Sequence, residues 1–438
     1  MTEENTPEGF NPDDFAKFLE ELLSGKGNLD AAELARVAGL PNDPKVIEAL
    51  LAQLKQAIAQ GDSQTVGGVN WTVASQQALA FAKEGSFMVT DQARNSISEA
   101  NRIATLWLDQ ATSLSSLAID AKLLTREVWV QDALPLFQEL AGPIASRVAN
   151  ALTENLQENL PSELEGIAAG AGGIMRSAGG ALFAMQLGGS LGKLSQEVLT
   201  GGDIGLPFYS ESRSAFVPQN LMAFIQSNEL PEDQALIYLA VREEAHARLF
   251  RHSRWLRDAV ISQLSNYAVG IHINGDAMRE LASEITPENA EALRHALESG
   301  ALLAERTPEQ QQALAQIELL LALIEGWVET VTTDATKLLP QSAALDEVLR
   351  RRRATSSPAQ STFATLVGLE LKPRKTREAA AFWKQLTDKL GVEARDAIWD
   401  HPDLLPNFED VEDVDGYLSR RNSEEDQLDK DLRDLLGE

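Results

Sequence analysis

Apolar residues recur along this chain at the three- and four-residue spacing of amphipathic helices, and strand-like alternation is rare. Asp13 to Leu23 reads as a short amphipathic helix behind a polar start, and the loop Ser24-Gly25-Lys26-Gly27-Asn28 follows it. Helical spacing then dominates to about residue 160. Within it, Ile97, Ala100, Ile103, Ala104, Trp107 and Leu108 share one face of a long helix inside 90–117. Trp71, Trp107 and Trp129 are read as core aromatics. Pro161 and a glycine- and alanine-rich stretch over 166–192 mark a boundary. Gly201-Gly202-Asp203-Ile204-Gly205-Leu206-Pro207 has turn chemistry, with short extended pieces expected around 207–218. Helix starts are marked by Pro231-Glu232-Asp233, by Thr286-Pro287-Glu288 and by Thr307-Pro308-Glu309-Gln310, the last with capping-box spacing. The fold class is therefore mainly α. Its expected divisions are a short-helix or disordered segment over 1–30, a helical region over 31–160, a helical region over 161–405 and an acidic tail over 406–438.

Charge narrows the partners. Lysine and arginine number 38 against 66 acids, a net charge of -28. Such a field repels nucleic acid and anionic membranes, so neither is expected as a partner. The 166–192 stretch carries Arg176 and many glycines, which fits a soluble helix–loop–helix better than a membrane span. The acidic N-terminus lacks a signal-peptide pattern, and a cytoplasmic protein is expected. With no cysteine in 438 residues, disulfides, thiol catalysis and cysteine–zinc sites are excluded. A transition-metal site would have to draw on the histidines at 246, 252, 272, 295 and 401 together with carboxylates.

The chemistry concentrates in Arg242-Glu243-Glu244-Ala245-His246. This is H-E-x-x-H with arginine at its first position. In the intact pattern two histidines one turn apart bind zinc, and the glutamate handles the proton of a zinc-bound water. On a helical wheel, Glu243 and His246 fall within roughly 60° of the apolar stripe through Leu236, Leu239 and Phe250, so both should face inward. Arg242 flanks that stripe. His252 lies six residues beyond His246, the spacing of a third zinc ligand, but Leu249 stands where that pattern requires glycine. If the helix continues, His252 points about 120° away. Farther on, Glu318 and Glu325 border the apolar face of another helix and offer a carboxylate.

Several stretches carry a family resemblance: Ala100 to Asp109, Gly202 to Pro207, Arg242 to Phe250 with Trp255, Glu325-Gly326-Trp327-Val328, and Ala397 to Pro406. In these the chain resembles an actinobacterial family of zincin-like metallopeptidases and hydrolases. The resemblance implies a mostly helical zincin-like fold with the motif helix at its centre. Carried over, it makes Glu243 the general base and His246 and Glu325 metal ligands. Arg242 and Trp327 occupy positions where one branch of that family has histidines.

Three readings follow. In one, the chain is a zinc hydrolase of peptides, with His246, Glu325 and His252 or His272 as ligands and Glu243 activating water. In the second, it is a metal-free binding or regulatory scaffold with an unknown protein partner, in which Arg242 takes the charge position of the metal and pairs with Glu325 or Glu318. In the third, Arg350 to Arg353 with Lys372 to Arg377 binds an anionic partner; the alternative is that these cations form a solvated loop.

Overall fold

A computed structural model describes residues 65–66, 69–159, 183–184, 187–206, 209, 213–271, 306–356 and 375–423. The short helix of 13–23, the helix start at 286–288, the boundary at Pro161, His272 and the tail beyond 423 lie outside the described residues. The chain divides into two compact units. One comprises Met1–Asn70, Val148–Leu182 and His272–Ala304. Its described part includes β1 (Thr65–Val66) and β2 (Val69–Asn70), antiparallel with Thr65 opposite Asn70.

The other unit comprises Trp71–Arg147, Phe183–Ile271 and Glu305–Glu438 and carries the motif. In chain order it contains α1 (Trp71–Lys83), α2 (Asp91–Leu108), β3 (Lys122–Leu123), most of α3 (Arg126–Asn159), β4 (Ala215–Phe216), α4 (Pro218–Ser227), α5 (Glu232–His252) and α6 (Arg254–Val269). It continues with α7 (Pro308–Ala335), α8 (Ser342–Ser356), α9 (Thr376–Leu390), α10 (Val392–Asp396) and α11 (Phe408–Glu412). The structure is mainly α, as the periodicity implies. No helix among the described residues is long and apolar enough to cross a membrane.

The helix boundaries follow local chemistry. The Thr90 side chain accepts a hydrogen bond from Ala93 N and starts α2. Thr307 and Gln310 form a reciprocal capping box at α7, with Pro308 in the first turn. Acids at 232 and 233 and the cation Arg251 at the other end match the dipole of α5. Of the extended pieces expected around 207–218, the described residues show one strand, Ala215–Phe216. These pair in parallel with Lys122–Leu123, and Phe216 also bridges to Thr200.

Helix α5 occupies the centre. It packs on α2, α7, α4 and α8, and from Ala235 to Phe250 every residue but Ile237 and Arg242 is buried. A helix surrounded in this way has no solvent face to hold its polar groups, so each needs a partner within the protein. On its far side α7 packs against α9. Gly326 lies at that crossing, and a Cβ there would sit 2.7 Å from Ala380 N and 2.8 Å from Ala379 Cβ. Beside the crossing Trp327, Trp383 and Trp399 are fully buried. Trp327 Nε1 donates to Asp396 Oδ1 at 2.9 Å, and Asp396 also pairs with buried Arg395. Trp71 and Trp129 are core residues, while Trp107 is only partly covered.

Gly326→Ala is expected to destabilise the protein by about 1–3 kcal/mol, the range for overpacking, because the atoms in its way include α9 backbone. Urea denaturation checks this; an unchanged midpoint would mean the two helices separate without penalty.

Candidate functional site

The centre of the site is the carboxylate of Glu325 on α7. Arg242 and His246, one turn apart on α5, both reach it. His246 Nε2 lies 3.0 Å from Glu325 Oε1, and Arg242 pairs with Oε2. A third partner comes from α8: Arg353 Nη1 is 2.8 Å from the same Oε2. Its other terminal nitrogen is 3.3 Å from Glu329, the acid one turn further along α7. Glu325 retains only 15% side-chain exposure and Arg242 13%, so this cluster is largely screened from water. Burial alone would raise the Glu325 pKa. Arg242, His246 and Arg353 outweigh it and hold the carboxyl well below the usual carboxylate range. Burial likewise opposes the charge of Arg242, and Glu325, Tyr238, Glu329 and Asp203 reverse that effect.

Glu243 is engaged elsewhere. Its Oε2 accepts from Gly202 N and its Oε1 from Ala215 N, each at 2.8 Å. The first donor belongs to the 3₁₀ turn Gly201–Ile204 and the second to β4. Glu243 therefore braces two loop segments against α5. The turn lies so close that a Cβ on Gly202 would be 2.9 Å from His246 Cγ and 3.1 Å from Glu243 Oε2, which requires glycine there. Burial pushes the Glu243 carboxyl up to about 7, against the backbone donors Ala215 and Gly202 and the Thr200 hydroxyl, and with help from Asp203. Asp203 in turn accepts from Leu199 N and pairs with Arg352 of α8, both guanidinium bonds at 2.8 Å.

A third polar cluster anchors α5 to α2. Glu244 accepts from Thr105 Oγ1 and from Arg248, four residues on. Arg248 is fully buried and also reaches Asp109 Oδ1 at 2.7 Å and the carbonyl of Thr105. The i,i+4 Glu–Arg spacing is visible in the sequence; burial of the pair is not, because at about 100° per residue both fall roughly 140° to 180° from Leu239.

His252 is exposed at the end of α5, which runs straight through Leu249, and it pairs with Asp400 Oδ1 at 2.6 Å. It does not join Glu325. Glu318 is partly buried two turns before Glu325 on α7, and the acid that Arg242 meets is Glu325. Trp327 points its indole N–H at Asp396 in the tryptophan layer. The largest departure from expectation is Arg350 to Arg353. They are not a basic run leading into a loop at 354: α8 continues to Ser356. Arg352 and Arg353 turn inward to Asp203, Glu325 and Glu329, Arg350 pairs with Asp346, and only Arg351 is strongly exposed. Lys372 and Arg374 lie outside the described residues.

A family model described as zincin-like metallopeptidase matches residues 69–418. Among solved structures, the chain is similar to one from Chloroflexus aurantiacus, described as "a putative hydrolase with a novel fold". The identity is 20% and the TM-score 0.55, over 81% of this chain and 99% of that one. At that identity the likeness is one of fold. No curated protein matches the chain.

Zinc is the metal such a family implies, and the side chains around Glu325 do not fit it as they stand. A carboxylate only accepts, so the His246 nitrogen facing Glu325 is the protonated one. Its Nδ1 is buried without a hydrogen-bond partner, which leaves one free nitrogen. Around it, no group of three or more His, Cys, Asp or Glu side chains is arranged to hold a metal ion among the described residues. Two guanidinium groups already occupy Glu325 Oε2, and a guanidinium stays protonated and repels a cation.

The Glu243 carboxyl makes a pH test. An acid whose folded pKa is raised from 4.5 to about 7 binds its proton more tightly when folded. Its contribution to stability should fall as pH rises across that window and then level off. The fall amounts to at most about 3 kcal/mol at 1.36 kcal/mol per pH unit. Glu243→Gln does not titrate, so unfolding free energies measured at pH 5, 6, 7 and 8 should lose this component, whatever constant offset the amide introduces. Parallel pH profiles for the two proteins would contradict the account.

Proposed function

This chain belongs to the zincin-like metallopeptidase family, and from that membership we propose that it is a non-catalytic member, a binding or regulatory scaffold. In this reading Arg242 supplies the positive charge that zinc supplies in the intact motif. The observation that carries it is the pairing of Arg242 with Glu325, the acid that also holds His246. In the intact pattern two histidines and a nearby acid converge on a metal. Here an arginine, a histidine and an acid converge on one another. The arrangement satisfies the buried carboxylate without an ion, as a buried charge requires. Glu243 fits the same reading, since both of its oxygens accept backbone N–H groups and it serves as a brace. The partner of such a scaffold is a protein or peptide, in line with the family's substrates.

Family membership favours a second reading, a zinc-dependent peptidase in which His246 and Glu325 bind the metal and Glu243 activates water. It requires Arg242 and Arg353 to leave Glu325 and a further ligand to arrive.

The two readings differ in metal content. Full-length protein purified without chelator and without a histidine tag is expected to contain only trace zinc by elemental analysis, unchanged in His246→Ala. Stoichiometric zinc that disappears in His246→Ala would overturn the scaffold reading and support the peptidase.

A further inference from the structure

Arginines 350, 352 and 353 lie on α8, outside the motif helix, and pair with acids of α7, of the 201–204 turn and of α8 itself. Within α8, only Leu345 and Leu349 are buried apolar side chains. Most of its attachment is ionic and polar. Asp346 accepts from Tyr238 of α5 at 3.0 Å and pairs with Arg350. Arg350 approaches Glu329 at 3.6 Å. Arg352 grips Asp203 and the carbonyl of Glu197, and so fixes the turn whose Gly202 covers His246 and Glu243. Arg353 joins Glu325 to Glu329. A helix with so little apolar burial and so many inward charges is held by complementarity to acids.

We propose that α8 is an intramolecular cation plug: Arg353 is a second lock on Glu325, independent of Arg242, and Arg352 holds the 201–204 turn closed over His246. The inference rests on the metal-free reading of the site and adds its regulation. The site is closed twice, and undoing the substitution in the motif does not open it. Oε2 of Glu325 has two acceptor positions, and Arg242 and Arg353 fill them both. Removing Arg242 frees one and leaves Arg353 with its positive charge 2.8 Å from the carboxylate. Access to Glu325 for any other cation then requires α8 to lift.

Zinc is the probe. Full-length, tag-free wild type, Arg242→His, the double variant Arg242→His/Arg353→Ala and the charge-keeping double variant Arg242→His/Arg353→Lys are incubated with zinc chloride. They are then gel-filtered and analysed for retained metal. Arg242→His rebuilds the two-histidine spacing. With Arg353 in place it is expected to stay zinc-poor, as is the lysine double variant, while the alanine double variant retains stoichiometric zinc. Stoichiometric zinc in Arg242→His alone would overturn the plug, as would a folded alanine double variant that retains none. If the alanine variant does not fold, Arg353→Gln takes its place with the same two outcomes. Stoichiometric zinc in the wild type would instead overturn the scaffold reading. Hydrogen exchange gives a readout free of metal. In Arg353→Ala the amides of 342–356 should exchange at least about tenfold faster while those of α7 keep their protection. Unchanged protection of α8 would also overturn the plug.

Discussion

A carboxylate buried at the meeting of three helices must be neutralised there, and Glu325 sets the terms for everything around it. Taking a charge out of water costs several kcal/mol unless a counter-charge and hydrogen bonds are present. Glu325 finds them on α5, through Arg242 and His246, and on α8, through Arg353. In a zinc protein of this fold a divalent ion would serve that purpose. Here guanidinium groups serve it, and on the proposed reading this is how the fold stands without a metal. The charge bookkeeping extends one shell outward, where Glu329 faces Arg353 and Arg350 and Asp203 faces Arg352. Acids and arginines alternate along the α7–α8 face, which is why a strongly acidic chain places a run of four consecutive arginines there.

The same helix carries two other polar clusters, with different roles. Glu243 ties the 201–204 turn and β4 to α5 through their backbone N–H groups. Glu244 and Arg248 tie α5 to α2. Three consecutive charged residues, 242 to 244, thus point to three different neighbours, as the roughly 100° step of a helix requires. Burial on all sides makes each of them consequential: any one left unpaired becomes an unsatisfied charge in the core.

Much of this could be read from the sequence. The mainly helical class, the starts of α5 and α7, and the inward placement of Glu243 and His246 follow from spacing and capping residues. The pairing of Arg242 with an acid of α7 follows from charge, although spacing left Glu318 and Glu325 as equal candidates. What could not be read depended on distance in the chain or on backbone. Arg352 and Asp203 are 149 residues apart, and no local pattern distinguishes an arginine run that turns inward from one that is solvated. The partners of Glu243 are main-chain amides, which carry no residue signature. Glu244 and Arg248 lay off the apolar stripe, and a stripe describes a helix with one buried face. Helix α5 is buried all round, so its polar residues are core residues too.

The central claim is that Arg242 and Glu325 depend on each other inside a cluster that holds no metal. A double-mutant cycle measures this directly: unfolding free energies of wild type, Arg242→Ala, Glu325→Ala and the double variant, in buffer with chelator. The account predicts a coupling of at least about 1 kcal/mol, with the double variant less destabilised than the sum of the singles. Additivity to within about 0.5 kcal/mol, the behaviour of independent sites, would contradict it.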